Sequence, residues 1–257
     1  MTENNLNRFK IGGIPISITS SRDVIESIKK VVGTGNSIHI CVCDFRSVCY
    51  ASKHADYKKI LQTSHLNTPD GMPLIWMGRL WGIKNVHRTM GPHLFVKMLK
   101  DSNSGIKHFL LGDTDDILHE IKSKFKKENN ALIVGTFSPP FININEYDYF
   151  SIANMINNSG ADIVWISMTA PKQDYFAVNL KPFLDKKVLI GVGAAFRYSL
   201  GLYEIPNDFF QKIGLTGFFM RKKTWWQFKW YLIHIFKLLY FSIQIVYRRV
   251  IGRKYYE

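Results

Sequence analysis

The stretch from His65 to Phe95, HLNTPDGMPLIWMGRLWGIKNVHRTMGPHLF, predicts a strand, a sharp turn and a helix in immediate succession. A short apolar strand breaks at Pro69-Asp70-Gly71, and an apolar helix then runs to Trp81. In α/β proteins such a turn faces the carboxyl edge of the sheet, where ligands bind. The aspartate at this turn could therefore contact a ligand, or it could simply cap the helix that follows.

The alternation of strands and helices continues on both sides of this stretch. Continuous apolar runs are typical of parallel strands that are covered on both faces. They are SIHICVC at 37–43, KHFLL at 107–111, ALIVGT at 131–136, ADIVWIS at 161–167 and KVLIGV at 187–192. We therefore expect a Rossmann-like α/β fold, with a mostly parallel sheet and helices on both faces. Residues 9–18, which contain Gly12-Gly13, predict a short N-terminal hairpin.

Two helices are predicted around the first of these strands. Ser20 and Asp23 form a capping-box pattern ahead of a helix at 24–32. Residues 46–61 are predicted as a single helix with lysine and histidine on its outer face. Asp44 ends the strand before that helix, where it could cap the helix or contact a ligand.

Composition narrows the class of protein. A chain of 257 residues fits one large domain, or one domain with an appendage. The formal charge of +14 implies an anionic partner, for which nucleic acid, a membrane surface and a phosphorylated substrate are all candidates. The three cysteines are crowded at positions 41, 43 and 49, which argues against a secreted disulfide framework and indicates a reducing compartment.

The composition changes after about residue 205, which divides the chain into an α/β core at 1–205 and a basic, aromatic-rich appendage at 206–257. The long apolar run of the appendage carries a charged stripe at helical spacing, which favours a membrane-associated helix lying in the interface. A helix docked on the core and a membrane-spanning helix are the alternatives. Basic residues expected near anionic headgroups or a lipid diphosphate are Arg221, Lys222, Lys223 and Arg248.

Asp70 is the best candidate for a general base, because a carboxylate at a strand end could deprotonate an attacking hydroxyl group. Arg79 and Arg88 could neutralise phosphates, although each could equally be an ordinary surface or helix-end cation. Gln173 could hydrogen-bond a sugar or a phosphate, and the alternative is a solvated residue at a helix start.

Two glycine-containing loops are further candidates. Gly112 ends a predicted strand before capping groups, an arrangement that suits an anion at a helix N-terminus but is also a common βα loop. The run GVGAAF at 191–196 resembles a dinucleotide fingerprint but ends in Phe, so we interpret it as tight packing with Gly193 near a ligand. Apart from Asp113 and Asp115, which occupy capping positions, no acidic pair stands in a strand-end loop, and we expect no metal or other cofactor.

Four motifs in order carry a resemblance to the WecG/TagA/CpsF family of glycosyltransferases, and the resemblance covers nearly the whole chain. Each motif alone is weak, whereas four in the same order and at matching spacing are specific. The first motif combines TPDG at 68–71, GRLWG at 78–82, Arg88 and GPHLF at 91–95; the others are GTFSPPF at 135–141, APKQD at 170–174 and GVGAAF at 191–196.

The resemblance implies an inverting, metal-independent transferase. Its donor would be a nucleotide diphosphate sugar, with UDP-N-acetylmannosamine as one candidate. Its acceptor would be a polyprenyl-diphosphate-linked sugar, and its product would feed exopolysaccharide, capsule, teichoic acid or common antigen. Asp70 then matches the family's proposed base, Gln173 a residue of the active site, and Arg221 an arginine supplied by an appendage that docks on the membrane. The expected location is peripheral, at the cytoplasmic face of the cell membrane, and a homo-oligomer is compatible with this assignment.

Five positions depart from the family pattern, and one of them is a strand-end Thr of the family, used in substrate binding, that is replaced here by Val42 or Cys43. The family commonly has Asn where Thr68 and Asp44 stand, and an acid where His93 and Arg197 stand. Thr68 and His93 are therefore expected to bind substrate and to shift the preference for donor or acceptor, so we leave the donor sugar open among hexoses and uronic acids.

Two other classes of protein compete with a glycosyltransferase. A non-catalytic nucleotide-sugar-binding component of a polysaccharide assembly complex would bind a donor without turnover. A basic nucleic-acid-binding protein would agree with the charge of +14. The apolar face of the appendage is too continuous for a base-stacking platform, so we expect no nucleic-acid partner.

Overall fold

The computed structural model describes residues 7–204, together with Asn207 and Ile243. An antiparallel hairpin, formed by β1 (Arg8–Ile11) and β2 (Ile14–Ser17), precedes the central sheet. The sheet consists of β3 (Ile38–Cys43), β4 (Leu66–Pro69), β5 (Lys107–Gly112), β6 (Leu132–Phe137), β7 (Ile163–Ser167) and β8 (Val188–Gly191). All its pairs are parallel, in the order β4-β3-β8-β7-β5-β6. The predicted Rossmann-like sheet and the N-terminal hairpin are therefore confirmed.

Helices cover both faces of the sheet. They are α1 (Ser21–Val31), α2 (Phe45–Ala51), α3 (Ala55–Thr63), α4 (Met72–Leu80), α5 (Gly91–Lys100), α6 (Asp115–Asn129), α7 (Tyr149–Asn158), α8 (Lys172–Leu180) and α9 (Ala195–Ser199). One apolar core joins the sheet to α1, α5, α6 and α9. Two further cores on the other face join it to the hairpin, α2, α3, α4, α7 and α8. Because the strands are buried on both sides, their apolar runs are continuous, as the sequence predicts.

The capping box that was predicted before the first helix is present. The Ser20 hydroxyl accepts a hydrogen bond from the Asp23 backbone N–H at 3.3 Å, and the Asp23 carboxylate accepts one from the Ser20 backbone N–H at 2.7 Å. These two bonds satisfy donors that the first turn of α1 would otherwise leave unpaired.

The single helix predicted at 46–61 is wrong, since the structure has two helices there. The chain leaves α2 at Ser52 and begins α3 after His54. The His54 ring stacks on the Tyr50 ring with centroids 3.7 Å apart, and its Nδ1 lies 2.9 Å from the Tyr50 carbonyl oxygen. This local interaction holds the turn between the helices, and the pattern of apolar spacing does not reveal it.

The division at residue 205 and the membrane-associated appendage fall almost entirely outside the described residues, and both stay predictions. Within the part of the chain that the structure describes, no helix is both long enough and apolar enough to cross a bilayer.

Candidate active site

The carboxyl ends of β3 and β4 bring two aspartates side by side. Cys43 is the register partner of Pro69, so the next residues along the two strands are Asp44 and Asp70. The Asp70 backbone N–H donates to the Cys43 carbonyl oxygen at 2.9 Å, which continues the ladder by one residue. The ligand-binding edge of the sheet therefore presents two neighbouring carboxylates.

Arg88 holds Asp70 from the loop that follows α4. The Thr89 backbone N–H donates to the Pro69 carbonyl oxygen at 2.8 Å and so fixes this loop on the end of β4. The Arg88 guanidinium donates through Nε to the backbone carbonyl oxygen of Asp70, and its Nη2 lies 3.4 Å from Asp70 Oδ1. The Arg88 side chain is 17% exposed and the Asp70 side chain 29% exposed, so a ligand can still reach the carboxylate.

The environment raises the pKa of Asp70 to about 6. Burial is the main cause, because a partly desolvated carboxylate loses hydration of its charged form. The neighbouring Asp44 charge also raises this pKa, whereas Arg88 and Arg46 lower it. A carboxylate with a pKa near neutral can both accept a proton and release it, which is the requirement for a general base.

The Asp44 carboxylate is already hydrogen-bonded to residues that follow it in the chain. Its Oδ1 accepts hydrogen bonds from the Ser47 backbone N–H at 2.9 Å and from the Ser47 hydroxyl at 3.1 Å, so it is the N-cap of α2. Its Oδ2 accepts from the Arg46 guanidinium at 2.6 Å. Of the two neighbouring carboxylates, Asp70 is therefore the one with the freer oxygens.

Gln173 joins the start of α8 to the end of β8. Its side chain is buried, and Oε1 accepts a hydrogen bond from the Gly193 backbone N–H at 2.8 Å. A Cβ on Gly191 would lie 2.8 Å from the Gln173 amide carbon, so only glycine leaves room for this side chain. The Ser167 hydroxyl donates to the Gly193 carbonyl oxygen at 2.7 Å. Gln173 and Gly193 thus lie together at the carboxyl edge, and Gln173 orients the loop at Gly193 from within the fold.

Asp174 is a second buried acid, and the sequence reasoning missed it. Its carboxylate accepts a hydrogen bond from the Tyr57 hydroxyl at 2.7 Å, and the residue is 4% exposed. Burial raises its pKa to about 6. The signal that could have revealed it is an acid directly after Gln173, on the side of α8 that also carries the apolar residues Phe176 and Ala177.

Gly112 and Asp113 form a separate cluster at the end of β5. Gly112 has φ +110°, and a Cβ there would overlap the carbonyl oxygen of Ser167, so the glycine allows β5 and β7 to approach closely. The buried Asp113 carboxylate binds the Arg197 guanidinium through two hydrogen bonds, at 3.0 and 2.7 Å. Arg197, which departs from the family pattern, is therefore paired with an acid across the fold.

Three further residues that were predicted to bind substrate lie in three different environments. Thr68 is fully buried in β4, and its hydroxyl has no hydrogen-bond partner among the described residues. Arg79 is exposed in the last turn of α4, roughly 10 Å along the helix axis from the Asp70 turn, since each residue rises about 1.5 Å. His93 is exposed in the first turn of α5. Neither Thr68 nor Arg79 is brought to Asp70, because the first points into the core and the second ends the helix that leaves the edge.

The predicted basic residues of the appendage, Arg221, Lys222, Lys223 and Arg248, lie outside the described residues. Among the described residues, no group of three or more His, Cys, Asp or Glu side chains could hold a metal ion. The independence from metal that the resemblance implies stays a prediction.

A partly buried carboxylate beside an arginine lies at the carboxyl edge of a parallel sheet, which is where α/β proteins of this class bind their ligands. Comparison with known proteins gives the particular family. The model of the glycosyl transferase WecG/TagA/CpsF family matches residues 9–252. The chain belongs to this family and is a glycosyltransferase, as its motifs predict.

Two curated relatives carry the same name, N-acetylglucosaminyldiphosphoundecaprenol N-acetyl-beta-D-mannosaminyltransferase. The protein of Bacillus subtilis is 26% identical over 180 residues, which cover 70% of this chain and 69% of the relative. The protein of Bacillus spizizenii is 22% identical over 166 residues, which cover 64% of this chain and 63% of the relative.

Proposed function

We propose that this glycosyltransferase moves a sugar from a UDP-sugar to a polyprenyl-diphosphate-linked sugar during the synthesis of a cell-surface polysaccharide. The names of both relatives specify a diphosphoundecaprenol-linked acceptor and an N-acetylmannosaminyl group, which supports this class of substrates. N-acetylmannosamine is one candidate for the transferred sugar. The departure from the family pattern at His93, which is exposed in the first turn of α5, leaves other hexoses and uronic acids open.

In the proposed reaction, Asp70 takes the proton from the acceptor hydroxyl group. The acceptor oxygen then bonds to the anomeric carbon of the donor sugar, and the bond from that carbon to the diphosphate breaks. The oxygen attacks from the face opposite the diphosphate, and the nucleoside diphosphate leaves with the electron pair, so the configuration at the anomeric carbon inverts. The raised pKa of Asp70 supports its role as the base, because a carboxylate with a pKa of about 6 accepts a proton more readily than an ordinary one.

The observation that carries this proposal is the Asp70–Arg88 pair at the edge where β3 and β4 end. Arg88 holds the proposed base at this edge, where the 29% exposed carboxylate can be reached by an acceptor hydroxyl group. We also propose that the enzyme works as a peripheral protein at the cytoplasmic face of the membrane. The formal charge of +14 and the basic, aromatic sequence after residue 205 support this location.

The substitution Asp70→Asn tests the role of the base. It keeps the size of the side chain but removes its basicity, so the release of UDP in the presence of a short-chain polyprenyl-diphosphate sugar should fall about 10²-fold or more. The measurement is a screen of UDP-sugars against such acceptors, with both proteins checked for folding by circular dichroism.

Asp185→Asn is the matched control, because Asp185 is exposed just before β8, at the amino edge of the sheet. It should keep the activity of the parent. Full activity of Asp70→Asn would remove Asp70 as the base. Binding of a UDP-sugar without turnover on any acceptor would instead favour a non-catalytic binding protein.

A further inference from the structure

A second ion pair lies beside Asp70 and differs from the Asp70–Arg88 pair in its exposure. Arg46, in the first turn of α2, places both Nε and Nη2 at 2.6 Å from Asp44 Oδ2. Its side chain is 72% exposed, whereas that of Arg88 is 17% exposed. Arg88 is committed to the backbone and carboxylate of Asp70, so Arg46 is the more accessible guanidinium of these two.

The guanidinium of Arg46 has hydrogen-bonding capacity left for a ligand. A guanidinium carries five N–H donors, and the two bonds to Asp44 leave three of them for other groups. Asp44 in turn keeps two hydrogen bonds from Ser47 when it shares Arg46 with an anion. The pair can therefore accept a third partner without leaving a buried charge unpaired.

The position of Arg46 relative to the base follows from the sheet register. Asp44 and Asp70 follow the register partners Cys43 and Pro69, and Arg46 stands two residues beyond Asp44. Its positive charge lowers the pKa of Asp70, as the charge of Arg88 also does. An anion bound to Arg46 would thus lie at the same carboxyl edge as the proton that Asp70 removes.

We propose that Arg46 is a binding residue for a diphosphate group of a substrate, and that Asp44 is a positioning residue that holds its guanidinium at the edge of the sheet. This inference rests on the proposed function. The planar guanidinium offers parallel N–H donors that match two phosphate oxygens, which a lysine ammonium cannot do. The diphosphate is that of the nucleotide donor or that of the lipid-linked acceptor, since both carry the same group.

The test compares Arg46→Ala and Arg46→Lys with Lys59→Ala. Lys59 is exposed on α3, so its removal changes the net charge equally and should leave activity unchanged. Titration calorimetry measures the binding of UDP, of uridine and of a short-chain polyprenyl-diphosphate sugar, and steady-state kinetics measures KM for the donor and for the acceptor.

For Arg46→Ala we expect binding of one diphosphate ligand to weaken about 10-fold to 100-fold, in line with the loss of hydrogen bonds to a charged group. Weaker binding of UDP, with uridine unchanged, assigns Arg46 to the donor, and weaker binding of the lipid assigns it to the acceptor. Arg46→Lys should recover only part of the loss. Unchanged binding of UDP and of the lipid, within twofold, overturns the proposal.

Binding separates this result from a failure of the proposed function. A parent protein that binds neither diphosphate ligand contradicts both the function and the role of Arg46. If the parent binds these ligands and Arg46→Ala binds them equally well, only the role of Arg46 is contradicted.

Asp44→Asn tests the positioning role, because an asparagine can still cap α2 but no longer holds the guanidinium by charge. Asp44→Asn should raise KM for the same substrate whose KM is raised by Arg46→Ala. The double variant should be no worse than Arg46→Ala, since both changes remove one interaction. Additive losses would show that Asp44 does not act through Arg46.

Discussion

Asp70 and Asp174 are two carboxylates whose pKa burial raises to about 6, yet the structure gives them different roles. The Asp70 side chain is 29% exposed at the edge of the sheet, and so it can exchange a proton with a bound hydroxyl group. Asp174 is 4% exposed and bonded to Tyr57, which leaves it out of reach of a substrate. Accessibility, and not the pKa, therefore distinguishes the proposed base from the structural acid.

The pKa of Asp70 predicts the acid side of the pH profile. Only the deprotonated carboxylate accepts a proton, so kcat/KM should fall as the pH decreases through about 6. Asp44→Asn removes a negative neighbour that raises this pKa, and the acid limb should shift to lower pH. A pH–rate profile of both proteins measures the shift, and a limb that stays in place or moves upward would contradict the coupling.

Tyr57→Phe should destabilise the fold in a manner that depends on pH. The pKa of Asp174 is higher in the folded chain than its ordinary value of 3.8, so its burial costs stability increasingly as the pH rises from about 4 to about 6. The Tyr57 hydroxyl offsets part of this cost. Its loss should lower the free energy of unfolding by about 1–3 kcal/mol at pH 8, and by less at pH 5, where Asp174 is mostly protonated. Urea unfolding at the two pH values measures the difference.

Tyr175→Phe is the matched control for that experiment. The Tyr175 hydroxyl donates to the exposed Asp56 carboxylate at 2.6 Å, where water can replace the lost bond. Its removal should cost about 0.5 kcal/mol or less at either pH. Equal losses for the two variants would refute the special role of the buried acid.

At the level of elements, the close approach of β5 and β7 depends on Gly112. Its φ of +110° and the overlap that a Cβ would make with the Ser167 carbonyl oxygen both exclude a side chain. Gly112→Ala should therefore destabilise the fold by about 3 kcal/mol or more, because backbone strain and steric overlap add. Thermal unfolding followed by circular dichroism measures this effect.

Gly35→Ala separates the two causes. Gly35 has φ +62°, but nothing lies within 4 Å of the position that a Cβ would occupy. The substitution adds backbone strain alone and should cost about 1–2 kcal/mol. If Gly112→Ala cost no more than Gly35→Ala, the packing of β5 on β7 would not require glycine.

At the level of the whole molecule, the charge of +14 predicts attraction to an anionic surface. The full chain should sediment with vesicles that contain phosphatidylglycerol, and the bound fraction should decrease as salt is added. Deletion of residues 222–257 should lower that fraction. Unchanged association with the vesicles after the deletion would count against the membrane-associated helix.

Two charge reversals refine this experiment. Arg248→Glu and Lys53→Glu change the net charge equally, and Lys53 is exposed beyond the end of α2. The first should weaken vesicle binding more than the second if the appendage contacts the headgroups. Equal effects would indicate that only the net charge matters.

Much of the fold and part of the candidate site could be predicted from the sequence, because local patterns determine them. Apolar runs predict the parallel strands, capping residues predict the start of α1, and the order of the four motifs predicts the family. The Asp70 turn is predictable for the same reason, since the break in the chain and the acid are adjacent. The end of α2 was missed because it depends on the stacking of His54 on Tyr50, which apolar spacing does not encode.

The sequence by itself determined the alternating fold, the family and the candidate base. Only the tertiary structure decided which side chains meet. It buried Thr68, placed Arg79 away from Asp70 and paired Arg197 with Asp113. It also joined Asp174 to Tyr57, 117 residues away along the chain. The physical reason is that strand and helix patterns are local, whereas partners and desolvation depend on the order of the strands in the sheet and on which ends lie at its edge.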